Sequence, residues 1–70
     1  MANSKATGTF IAECRKEKGL TQKALGEKLN VTDRAVSKWE TGRSFPDVAI
    51  LEDLCQELGI SVSELLAGGK

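Results

Sequence analysis

The chain has no histidine and no tyrosine, one proline, one tryptophan, two phenylalanines and two cysteines in 70 residues. Without histidine, two thiols cannot close a tetrahedral zinc site. Cys14 and Cys55 stand far apart and each falls on the apolar stripe of a helical pattern, so both read as core filling rather than as a disulfide. No apolar run approaches the ~20 residues that span a bilayer. The polar stretch Met1 to Thr9 has no apolar segment of signal-peptide type, which makes the cytoplasm the default compartment. β-Branched residues never alternate over a useful length, so strands are not expected, and no glycine-rich phosphate loop follows one. Acids and bases are spread as solvated helix faces. The chain is therefore read as non-enzymatic, with no metal, no cofactor, no small-molecule site and no membrane contact by this domain.

Net charge is also lacking: ten Lys and Arg balance ten Asp and Glu. The distribution is uneven. Residues 1–43 hold nine of the ten cations and five acids, a surplus of +4, and residues 44–70 hold Lys70 against five acids, a surplus of −4. One basic end can still dock on phosphate, because the local field matters more than the sum.

What the sequence does have is helix punctuation. Seventy residues make one domain. Residues 1–7 are expected to be a disordered tail, 8–67 the folded domain, and 68–70 an end from which a longer chain could continue, the chain then being an N-terminal fragment of a regulator. The first helix is expected from about Gly8 to Lys18, with Phe10, Ile11 and Cys14 on one face and Gly19 as its stop. The second follows the N-cap Thr21, buries Ala24, Leu25 and Leu29, and ends at Asn30, the non-glycine residue that best tolerates positive φ. The third follows Thr32 and ends near Thr41, with Val36 and Trp39 inward beside Thr32 and Ala35. The fourth runs from after Asp47 to Leu58 with Leu51, Leu54, Cys55 and Leu58 inward. The fifth begins at Ser61, which with Glu64 has the spacing of a capping box, and has Val62, Leu65 and Leu66 on its apolar side. The fold class is all-α, a compact five-helix bundle.

The informative stretch is Gln22 to Gly42, QKALGEKLNVTDRAVSKWETG. Two short helices meet at the tight turn Leu29-Asn30-Val31. Gly26 sits inside the second helix despite a penalty of ~1 kcal/mol relative to alanine, which is understandable if a larger side chain would clash where the two helices meet. Leu25, Val31, Val36 and Trp39 form the apolar seam between them. This pattern, together with GLTQ, VSKWETGRSFPD and LGISVSELL, resembles the Xre family of phage-repressor and Cro-type helix-turn-helix domains, over Phe10 to Leu66. The resemblance implies a lambda-repressor-like bundle that binds double-stranded DNA, with the third helix reading the major groove. It also implies homodimers on paired half-sites. Asn30 replaces the glycine common in the family at this turn and can fill the same conformation.

At ~100° per residue, Asp33, Arg34, Ser37, Lys38 and Thr41 point away from Val36 and Trp39. Arg34 is the first choice for base readout, because its fork matches guanine O6 and N7; Lys38, one turn on, reaches the same edges or a phosphate. Ser37 shares that face, and the Thr32 methyl could meet a thymine methyl while its hydroxyl caps the helix. Asp33 has two readings: accepting from a cytosine amino group, or complementing the helix dipole. Phosphate contacts are expected to frame this helix. Gln22 holds the position that meets phosphate in the family; Lys23 lies beside it, and Thr41, Arg43 and Ser44 lie just past the third helix. The resemblance further implies a bridge from Arg15 to Glu40 that anchors the reading helix and leaves Arg15 able to touch phosphate. Trp39 reads as core, not as a stacking platform, since Phe10 and Phe45 offer no partner for one. The rival reading is a protein-interaction module of the antitoxin or adaptor kind; the basic outward face of the third helix favours DNA.

Overall fold

The computed structural model describes residues 4–69. They form five helices: α1 Ser4–Glu17, α2 Gln22–Leu29, α3 Asp33–Glu40, α4 Val48–Leu58 and α5 Val62–Ala67. Four of the helix starts are set by the side chains expected from sequence. Thr21 and Thr32 hydroxyls accept from the Ala24 and Ala35 N–H groups at 2.9 and 3.2 Å, and Asp47 accepts from Ile50 N–H at 3.0 Å. At α5 the capping box is complete: Ser61 Oγ accepts from Glu64 N–H at 3.0 Å, and Glu64 Oε1 accepts from Ser61 N–H at 2.8 Å. Each such cap satisfies a backbone donor that the helix cannot, worth about 1 kcal/mol.

The turn between α2 and α3 is the sharp one the sequence suggested. Asn30 is left-handed, at φ 58° and ψ 39°, and Val31 N–H closes the corner on the Gly26 carbonyl at 2.8 Å. A Cβ on Gly26 would lie 2.8 Å from the Val31 carbonyl oxygen. The glycine thus makes room for the backbone leading into α3.

The N-terminal boundary differs from expectation. Residues 4–7 are not a tail but the first turn of α1, while residues 1–3 lie outside the described residues. Thr7 is 1% exposed and its hydroxyl donates to the Leu65 carbonyl of α5 at 3.0 Å. Gly8 is therefore inside the helix. It is buried against the end of α3, where an added Cβ would stand 2.3 Å from the Trp39 carbonyl oxygen and 2.7 Å from that of Glu40. The other end is also tied in: Gly68 caps α5 and lies against Ala6. Lys70 lies outside the described residues.

The core joins all five helices through Phe10, Ile11, Cys14, Leu25, Val36, Trp39, Leu54, Cys55, Leu58 and Leu65, with Leu29 and Ile60 at its edge. Two inward assignments change. Thr32 is exposed, because a cap must turn its hydroxyl back along the helix end, and Leu66 is 38% exposed on a helix too short to cover both of its apolar sides. Leu51 and Val62 are half-buried. Cys14 and Cys55 are both free, buried thiols, and desolvation raises the Cys55 pKa, which keeps it protonated and inert. Helix α3 packs most extensively on α2 and α1, so its orientation is set from two sides while its third side stays open.

Candidate nucleic-acid interface

The open side of α3 carries the cations. Arg34 and Lys38 are exposed, one helical turn apart, with half-buried Ser37 between them. Together with Arg43 from the following loop they line a shallow depression of about 330 Å³. Among the described residues none of these three cations forms an ion pair. Their charge is therefore offered to solvent rather than spent inside the domain. A second depression, of about 350 Å³, lies at the start of α3 and is lined by Lys23, Glu27, Val31, Thr32 and Asp33.

Arg43 and Ser44 are exposed, in a loop held against α3: both of their N–H groups donate to the Lys38 carbonyl, at 2.9 and 3.3 Å. Thr41 is exposed too, but its hydroxyl donates to the Ser37 carbonyl at 2.9 Å. A phosphate would compete with that carbonyl for the hydroxyl proton. Lys23 is exposed beside the start of α2.

Glu40 is the anchor of the arrangement. Its carboxylate accepts from Arg15 Nε at 2.6 Å, from Arg15 Nη2 at 3.1 Å and from Gln22 Nε2 at 2.9 Å, while Arg15 Nη1 donates to the Leu20 carbonyl at 2.8 Å. The Arg15 and Glu40 side chains are only 11% and 6% exposed. The hydrogen bond to Glu40 raises the Arg15 pKa still further, against an opposing desolvation, so the guanidinium keeps its charge. An acid in the last turn of a helix is unfavourable to the helix dipole, and Arg15 offsets that. The expected bridge between Arg15 and Glu40 is present. The guanidinium commits three of its five N–H donors to Glu40 and Leu20.

Residues 11–65 match the family model described as Helix-turn-helix. The chain belongs to the Xre family of helix-turn-helix DNA-binding domains. This Xre domain is 39% identical over 62 residues to an uncharacterized HTH-type transcriptional regulator of Sinorhizobium fredii, covering 89% of this chain and 80% of that protein. It is 36% identical over 58 residues to the HTH-type transcriptional activator BcrR of Enterococcus faecalis, covering 83% of this chain but only 28% of the activator. Its backbone superimposes on the P22 c2 repressor bound to synthetic operator 9T with a TM-score of 0.85 at 34% identity, over 89% of this chain and 94% of that one.

Two features of the Xre domain escaped the sequence. Gln22 is tied to Glu40, so the start of α2 and the end of α3 share one carboxylate; nothing in the 18-residue spacing signals this. Gly8 reads from sequence as the start of the first helix, and its contact with the α3 terminus was not legible.

Proposed function

We propose that this Xre domain binds double-stranded DNA sequence-specifically, setting α3 into the major groove as part of a cytoplasmic transcription regulator of the repressor kind. The observation that carries the reading is the depression shared by Arg34, Lys38 and Arg43, cations without carboxylate partners on the one open side of α3. A recognition helix contacts bases mainly through its N-terminal part, which assigns base contact to Thr32, Asp33, Arg34, Ser37 and Lys38. Gln22, Lys23, Arg43 and Ser44 flank that helix and suit phosphate. Gln22 spends one amide hydrogen on Glu40 and keeps another for a ligand. Paired half-sites about one helical turn apart, ~34 Å, would be filled by two copies.

Fluorescence titration with random duplex DNA tests the electrostatic part. Binding is expected with Kd in the ~10⁻⁴ to 10⁻⁶ M range, falling steeply with salt. Arg43→Ala should weaken all duplexes alike and lower the salt slope by about one. Binding that is absent or indifferent to salt would point instead to an adaptor or antitoxin-like protein partner. Base readout is tested on an operator selected from a random pool: Arg34→Ala should lose ~1–3 kcal/mol and relax preference at a guanine. Unchanged operator affinity would remove Arg34 from the reading helix.

A further inference from the structure

Asp33 is an acid on a face meant for a polyanion; its place in the first turn of α3 suits the helix dipole, but that duty asks for no particular contact. It does not cap α3, because Thr32 Oγ1 already accepts from the Ala35 N–H at 3.2 Å. Among the described residues it forms no side-chain hydrogen bond and no ion pair, although Lys23 lines the same depression. It is exposed, and its chain neighbour Arg34 opens the cationic depression.

A carboxylate can only accept hydrogen bonds. Carried into the major groove, it meets phosphate charge and mostly acceptor atoms, and it is tolerated only where a donor faces it. The donors on the base edges there are cytosine N4 and adenine N6. Adenine sets its N7 acceptor beside N6, which repels a carboxylate, whereas cytosine presents N4 with no acceptor of its own next to it. Asp33 and Arg34 are neighbours in the first turn of α3, so an α3 seated in the groove carries both to one half-site. We propose that Asp33 makes this domain require a cytosine in the same half-site as the guanine read by Arg34. The proposal rests on α3 being the element in the groove.

The test is a pool selection with the parent domain and with Asp33→Asn, followed by titration of the selected duplex with each base at the assigned position. The parent should lose about tenfold or more when that cytosine becomes thymine, guanine or adenine. Asp33→Asn should prefer adenine there, since an amide both donates and accepts and matches N6 and N7. Asp33→Ala should lose the cytosine preference without gaining another. Both variants should fold and melt at most several degrees below the parent, since Asp33 is exposed and caps nothing but sits in the first turn of α3. If both variants keep every base preference and only bind all duplexes more tightly, Asp33 is a dipole complement and the proposal fails. If the parent selects no sequence, or Arg34→Ala leaves its guanine preference intact, the assignment of α3 as reading helix fails, and this proposal with it.

Discussion

Gly8→Ala should lower the stability of the domain by about 2–3 kcal/mol, although alanine is the better helix former by ~1 kcal/mol. The sign is decided by space. The new Cβ would stand 2.3 Å from the Trp39 carbonyl oxygen and 2.7 Å from that of Glu40, both backbone atoms at the end of α3. Neither can swing aside as a side-chain tip could, so α1 and α3 must separate, and the buried contacts of Phe10, Ile11 and Trp39 loosen with them. In a domain of this size about 1 kcal/mol corresponds to 4–8 °C of melting temperature, so a fall of at least ~8 °C is expected by calorimetry. Since a small core rarely supplies more than ~3–5 kcal/mol, most of the margin would be lost. An unchanged or raised melting temperature would mean that the two helices are not in backbone contact.

Glu40→Ala is the second large effect. The carboxylate gathers Arg15 and Gln22, and its removal leaves a guanidinium that is only 11% exposed without its counter-charge. Taking one partner from a buried pair typically costs ~3–5 kcal/mol, while replacing both partners by apolar groups of similar volume is often neutral. Urea denaturation should therefore show a loss of about 3 kcal/mol for Glu40→Ala and a smaller loss for the double variant Arg15→Met, Glu40→Leu. Were the double variant as unstable as the sum of its single changes, the two side chains would not be coupled, and the loss in Glu40→Ala would not come from an uncompensated Arg15 charge. The double variant also separates folding from binding. It should fold, yet hold Gln22 less firmly at the start of α2, and so bind random duplex more weakly than the parent at low salt.

These two residues mark how far the sequence could be read. Gly26 and Asn30 were understandable locally, because the turn they serve lies within five residues of each, and a positive φ or a missing Cβ has a short list of causes. The caps at Thr21, Thr32, Asp47 and Ser61 were legible for the same reason: donor and acceptor are three residues apart. The start of α1 was not, because glycine at position 8 resembles a boundary until the partner that excludes a side chain is known. Thr7 was taken for tail, since the acceptor of its hydroxyl is 58 residues away. On the interface, helical periodicity was enough to turn Arg34 and Lys38 outward. It could not show that Thr41 would spend its hydroxyl on Ser37, or that Arg15 would be enclosed.

The amino-acid order alone determined five helices, their caps, the sharp corner before α3 and the side of α3 that carries charge, because periodicity and capping act over one or two turns. Tertiary structure decided which glycine must stay bare, which arginine is half-buried against a carboxylate and which stands exposed. Those outcomes depend on distances between segments far apart in the chain, and no local rule contains them.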